Sequence, residues 1–528
     1  MNIVDALALP VLVLTPLLVG VWLLVADRVG TPPRPGTSRG LAVTAAVLVA
    51  AAAVVVVWRR PEVDLLWIES LGVRLDLGVD GLSAPFVLLT GLMAIVATLV
   101  PYHHPLTDAR LGEPGRHEPT VALPVIGTDV PRPRALATYY ACLLVVIAGS
   151  LLTFLTRDAL VFFVAFELVL IPMWVLIARH GDATSTADRD GAALRFLLFT
   201  ATGSMLMLIG ILALWSGTGT TDLTRWAELA GGSLDGGTQV IVAVILLIGL
   251  GIKVPVWPLH TWLPWVHATA PTAGSVLLAA VLLKMGAYGM IRLVAAPLPE
   301  GLASVSPVLA GLAVTGILWA GLACLVESDL KRLIAWASIG HLGFVVLAIA
   351  AGSETGLQAA VFGNMAHGLI SALLFVLVGN LKHQWGGADL TSPRAALREV
   401  SPRLGFVLVL GMAAAMGLPG LAGFWGEWGA LYAAWEPGPG RTLWWFRGFA
   451  IAAALGAVLA AAYAVRVLRE VWAGDRRSPA IRDTRGVELA LLTVLGVGIV
   501  ALGVYPGPLL DLTAPATEAI IATLGVGR

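Results

Sequence analysis

The sequence predicts an all-α polytopic membrane protein of about 14 transmembrane helices, with two inverted five-helix repeats, spans 4–8 and 9–13, each containing a broken helix. Three observations predict it. Of 528 residues, 58% are hydrophobic and 12% are charged, a composition that no soluble core absorbs. Apolar runs of about 20 residues, the length that crosses a hydrocarbon layer of about 30 Å, recur along the whole chain. Two of these runs are too long and carry prolines inside: KVPVWPLHTWLPWVHATAPT holds Pro255, Pro258 and Pro264, and GLPGLAGFWGEW sets Pro419 between glycines. A helix loses backbone hydrogen bonds there, and unwound backbone is tolerated in a bilayer only against protein or a wet cavity.

Taken in order, residues 1–134 hold spans at 4–26, 39–58 and 81–101. Met1 to Ala26 is apolar but opens with Asp5 rather than a basic segment, so it reads as a first spanning helix and not a removed signal. Residues 59–80 alternate apolar and polar side chains around Gly72 and Gly78, the pattern of a short outer β-hairpin. Residues 102–134 are proline-rich and predict an irregular cytoplasmic loop. The first repeat, 135–295, takes spans 135–156, 158–178, 192–215, 238–268 and 271–295. The second, 305–469, takes 305–326, 330–351, 356–381, 403–436 and 444–469, and 486–528 carries a last span, 486–510, with a tail. Corresponding breaks five spans apart indicate the repeat, and an odd number of spans per repeat makes it inverted. Most arginines and lysines outside the spans fall in connections after odd-numbered spans, which predicts both termini on the outer face and Lys331 and Arg332 in the cytoplasm.

Charge inside the apolar runs carries the functional reading. The chain has four lysines against 29 arginines, and Lys253 and Lys284 lie deep within spans, Lys253 roughly 20 Å along its helix. A lysine at that depth costs on the order of 2.5–3.5 kcal/mol, so function is its default reading. Glu167, close to mid-depth with Pro172 after it, is the natural acid for Lys253; their structural alternatives are a hydrogen-bonded glutamate and a static ion pair. Lys284 has no acid in its own span and reads as a proton carrier. Glu427, after the second break, is a further proton site or an interfacial cap. His341 and His367, and less directly His260 and His267, are possible relays or satisfied packing residues. His260 and His267, seven apart, could share a helical face, but broken backbone and no third ligand argue against a metal. Cys142 and Cys324 form no ligand or disulfide pattern, and a net charge of zero gives no ground for nucleic-acid binding.

These segments resemble one family, the antiporter-like membrane subunits of respiratory complex I, chain M type of NADH-quinone oxidoreductase. The matching stretches are LGVDGLSAPFVLLT (77–90), DALVFFVAFELVLIPMW (158–174), the run from Lys253 to Gly289, ESDLKRLIAWASIGHLGFV (327–345), MAHGLISALLFVLVG (365–379), MGLPGLAGFWGEW (416–428) and YPGPLLD (505–511). The resemblance implies that Glu167 and Lys253 are the family's paired acid and lysine, Lys284 its central lysine and Glu427 its terminal proton residue. It also implies a proton-translocating subunit in a bacterial inner membrane, beside chain L and chain N types, with no cofactor of its own. NADH, FMN, iron-sulfur clusters and quinone would sit on other subunits. The expected mechanism is electrostatic: a changed Glu167–Lys253 separation, worth about 4 kcal/mol at ~4 Å, alters the proton affinity of Lys284, and the proton moves past the histidines to Glu427. One departure is LPWVHATAPT, where Trp265 and Thr269 replace two family acids. Other readings are a subunit of a multisubunit cation/proton antiporter or membrane-bound hydrogenase, and a non-catalytic scaffold.

Overall fold

The structure is a computed structural model that describes residues 3–102, 133–182, 186–391, 396–474 and 481–525; the proline-rich loop expected at 102–134 lies almost wholly outside the described residues. It is nearly all helix. In chain order run α1 (Ile3–Arg28), α2 (Pro35–Arg59), the hairpin β1 (Val63–Ile68) and β2 (Val73–Leu77), α3 (Ala84–Leu99), α4 (Pro133–Leu155), α5 (Ala159–Leu168), α6 (Leu170–His180) and α7 (Thr186–Thr218). There follow α8 (Leu223–Ser233), α9 (Gly236–Lys253), α10 (Trp262–Thr269), α11 (Thr272–Leu277), α12 (Leu283–Met290), α13 (Pro299–Val326), α14 (Leu330–Ala351) and α15 (Glu354–Trp385). The chain closes with α16 (Leu397–Val400), α17 (Pro402–Ala415), α18 (Ala422–Trp435), α19 (Leu443–Val467), α20 (Gly486–Val504) and α21 (Gly507–Gly525).

Among the described residues twelve helices are long and apolar enough to cross a membrane, and the third and twelfth expected spans hold shorter apolar helices, α3 and α17. The last span, expected over 486–510, ends at Val504, and a separate helix, α21, runs from Gly507 through most of the residues expected as a tail. Its carbonyl at Leu512 packs against Gly81, where a Cβ would lie 2.5 Å from that oxygen.

Three local features follow from single residues. Pro172 leaves the Leu168 carbonyl without its helical donor, and the fifth span is broken at Val169 between α5 and α6. In the seventh span, Pro255 and Pro258 lie in the non-helical stretch after Lys253, whereas Pro264 sits in the first turn of α10, where its missing N–H is harmless. In the twelfth, Gly417 and Gly420 take φ of +68° and +89°, which permits the turn between α17 and α18.

The hairpin forms as expected, with Val63 opposite Leu77 and Leu65 opposite Leu75. Gly72, at φ +66°, makes its turn. Gly78 is not part of that turn; its N–H bonds the Leu155 carbonyl at the end of α4 and fastens the strand to the bundle. The like-charged pair Asp64 and Asp76 is tolerated because Arg74 holds Asp64 at 2.6 Å and Arg157 stands 3.9 Å from Asp76. Buried Asp158 caps α5 through the N–H groups of Leu160 and Val161 and accepts from the Arg74 backbone, so hairpin and fifth span share one anchor.

Candidate functional site

Helices α9 and α12 cross with Lys253 at the contact. Gly286 on α12 abuts Lys253; a Cβ there would lie 3.0 Å from the Lys253 Cβ. Lys284, two residues earlier, is about 200° away around the helix and points to the opposite side. Both amines are buried, Lys253 at 1% exposure and Lys284 at 0%. The Lys253 amine lies 4.7 Å from the centroid of the Phe166 ring, and neither it nor Glu167 Oε1 makes a hydrogen bond. Glu167 and Lys253 are therefore not a hydrogen-bonded ion pair.

Lys284, with no acid in its own span, finds its partner on another helix. Its amine donates to Nδ1 of His367 on α15. A π-helical stretch, Leu278–Leu282, immediately precedes α12, and such local widening re-aims the side chains that follow it. The His367 ring lies 5.9 Å from the His341 ring on α14, and His341 Nδ1 is hydrogen-bonded to Glu427 Oε1 on α18 at 2.8 Å. Close helix approach makes this possible: a Cβ on Gly426 would lie 2.6 Å from the Cα of Gly363, one turn before His367. A small cavity lined by His341, His367, Glu427, Gly363, Gly423 and Gly426 lies beside the two rings. Four of the residues singled out in the sequence thus form one line, Lys284, His367, His341 and Glu427, drawn from four helices.

The other two histidines stand apart from that line. His260 lies in the unwound stretch with its ring 5.5 Å from Trp336, and His267 on α10 stacks on Phe375 at 4.5 Å. They do not share a helical face, because His260 precedes α10. Among the described residues no group of three or more His, Cys, Asp or Glu side chains is arranged to hold a metal.

Sequence reasoning missed Lys331. Expected at the cytoplasmic surface, its side chain is wholly buried, 3.1 Å from Asp182, and also donates to the Ala270 carbonyl. Lys382 donates to the Ala268 carbonyl at 3.2 Å. The C-terminal end of α10, the electronegative end of a half-helix, is therefore held by two amines. The signal was the scarcity of lysine: a chain rich in arginine places all four of its lysines in or against the interior. Nearby, the guanidiniums of Arg195 and Arg332 sit 4.5 Å and 4.9 Å from the centroid of the Trp265 ring, where the resemblance leads one to expect a carboxylate. Each such contact is worth about 0.5–1 kcal/mol at an exposed site. Trp265→Ala is expected to lower the melting temperature of the purified protein by a few degrees while proton translocation is retained; an unchanged melting curve would remove this account of the departure.

A bundle of bilayer-length helices with amine, imidazole and carboxylate lined up in its interior, next to two unwound helices, has the architecture of a membrane protein that moves ions. Residues 156–455 match the family model described as NADH:quinone oxidoreductase/Mrp antiporter, TM. The chain is 32% identical over 471 residues to NADH-quinone oxidoreductase subunit M of Pseudomonas aeruginosa, covering 88% of this chain and 85% of that one. Among solved structures, a chain of respiratory complex I from Thermus thermophilus with bound NADH superposes with a TM-score of 0.80 at 26% identity, covering 99% of this chain and all of that one. A chain of the Mrp complex from Dietzia sp. shares the fold, with a TM-score of 0.77 at 22% identity over 99% of this chain and 55% of that one. The chain belongs to the NADH:quinone oxidoreductase/Mrp antiporter transmembrane family, as a multi-pass membrane protein.

Proposed function

We propose that this chain is a proton-translocating membrane-arm subunit of an NADH-quinone oxidoreductase of the complex I type, and that protons pass along Lys284, His367, His341 and Glu427. The observation that carries the proposal is that line itself, in which a buried amine bonds an imidazole and a second imidazole bonds a buried carboxylate. Histidine exchanges protons near neutral pH, and the cavity beside the rings gives room for a bridging water where the two imidazoles do not bond directly. Glu167 and Lys253 supply the control: neither is hydrogen-bonded to the other, so a small movement of the broken α5–α6 helix changes their separation and the potential felt at Lys284. At an effective dielectric near 20, bringing the charges to ~4 Å is worth about 4 kcal/mol, roughly a thousandfold in proton affinity. His260 and His267 serve as further relays.

Several finer assignments belong to the same reading. Residues 135–295 and 305–469 are taken as inverted five-helix repeats, supported by interrupted helices at matching places. Both termini face outside, supported by the arginine-rich connections. The redox groups reside on other subunits of a bacterial inner-membrane complex, and chain L and chain N types are the neighbours.

The test is Glu427→Gln in the assembled complex in proteoliposomes, with a pH-sensitive dye reporting protons and NADH oxidation reporting electrons. Fewer protons per electron from a normally assembled complex is the expected result. Loss of assembly with an unchanged ratio in the remainder would favour a scaffold. Copurification without a quinone-binding subunit would favour a cation/proton antiporter.

A further inference from the structure

Lys284, Tyr288 and Arg292 follow one another at four-residue intervals, so they lie along one face of the α12 helix and its continuation. Eight residues span only about 12 Å, and the third member reaches the surface on the hairpin side. The Arg292 side chain is 20% exposed and its ion-pair partner Asp80 is 39% exposed. A second polar route from Lys284 to the exterior therefore runs toward the hairpin, besides the one along the histidines.

That route is blocked twice. Tyr288, at 1% exposure, stands among three buried rings: Phe86 at 5.4 Å, Phe154 at 5.3 Å and Phe162 at 6.3 Å between centroids. Its hydroxyl accepts from Arg292 Nε at 3.1 Å and donates to the Phe154 carbonyl at 3.4 Å, which leaves it committed at both ends. Beyond the rings, the Arg292 guanidinium presents a fixed positive charge, which repels protons. Asp80 fixes the guanidinium from the start of α3, where Oδ1 also accepts from the N–H groups of Leu82 and Ser83. Among the described residues Arg157, itself paired to Glu62 and near Asp76, is a further charge that faces this cluster.

We propose that Asp80, Arg292 and Tyr288, with the rings of Phe86, Phe154 and Phe162, form a gate that seals Lys284 from the hairpin side, so that its proton leaves through His367. The inference rests on the proton path proposed above. Burial by itself would raise the Asp80 carboxyl, but Arg292 and the Ser83 N–H outweigh it and hold it at about 2, against an ordinary value of 3.8. The carboxylate's contribution is thus fully present above the ordinary carboxylate range and is lost only as pH falls through about 2, so the gate stays closed throughout the physiological range.

The experiment uses the whole complex in proteoliposomes and measures passive proton leak under an imposed pH gradient without NADH, then protons per electron with NADH. The pair variant Asp80→Asn with Arg292→Gln keeps the shape, removes both charges and admits water. Its leak is expected to rise at least tenfold with NADH turnover retained, whereas Arg292→Lys, which keeps the cation, stays tight. Adding Lys284→Ala to the leaky variant should stop the leak. If the pair variant does not assemble, Phe86→Ala opens the ring collar instead and should leak. A wild-type leak in either assembled variant overturns the gate. A wild-type complex that moves no protons with NADH overturns the path on which the gate rests, and the two failures are read separately.

Discussion

Lys284→Ala is expected to reduce NADH-driven proton translocation at least a hundredfold while the complex still assembles. The physical reason is that one amine carries the start of the line. Lys284 bonds His367, while Lys253 lies against the far side of the same helix, so no other base in that helix can take over. Removing a positioned acid–base group costs proton transfer about 10²–10⁴-fold. Stability suffers less. The His367 Nδ1 atom loses its partner, at about 1–3 kcal/mol, but the penalty for burying an ammonium disappears with it. Lys284→Arg sharpens the test, because a guanidinium preserves charge and never releases its proton near neutral pH. It should be as inactive as the alanine variant. Dye-reported pumping beside NADH oxidation distinguishes the outcomes, and undiminished pumping in either variant would end the assignment of Lys284.

The second large effect is on stability. Lys331→Ala leaves the Asp182 carboxylate and the Ala270 carbonyl without their donor. Breaking a buried ion pair from one side costs about 3–5 kcal/mol, since the remaining charge stays desolvated. The end of α10 should loosen, and with it His267, whose stacking on Phe375 is its one close ring contact among the described residues. Lys331→Met combined with Asp182→Leu removes both charges and should recover most of the loss. Thermal unfolding of the purified complex reads the cycle. A single variant as stable as the parent would show that the pair contributes nothing to the fold.

Much of this molecule was legible in residue order, and the reasons are local. Runs of about 20 apolar residues mark spans because bilayer thickness fixes helix length, and Pro172, Pro255, Pro258 and Pro419 mark breaks because a proline cannot donate. The hairpin followed from period-two alternation and Gly72. Two local features were not legible there. The pattern around Gly78 did not say what that glycine does: it docks the strand, a job decided by the Leu155 carbonyl, 77 residues away in the chain. The last residues read as a tail because two acids and a proline lower their hydropathy, yet α21 forms where it packs on Gly81.

The candidate site divides along the same boundary. The sequence alone determined that charge is held inside a membrane, and it named every residue of the line. Only the tertiary structure decided who meets whom: Lys284 with His367, His341 with Glu427, Lys331 with Asp182, and Glu167 near Lys253 without a hydrogen bond. A helix buried on nearly all sides has no apolar stripe to betray its orientation, so periodicity could not say which face Lys284 uses. That face is set by interhelical register, by contacts such as Gly286 on Lys253 and Gly426 on Gly363, and these join segments far apart in the chain.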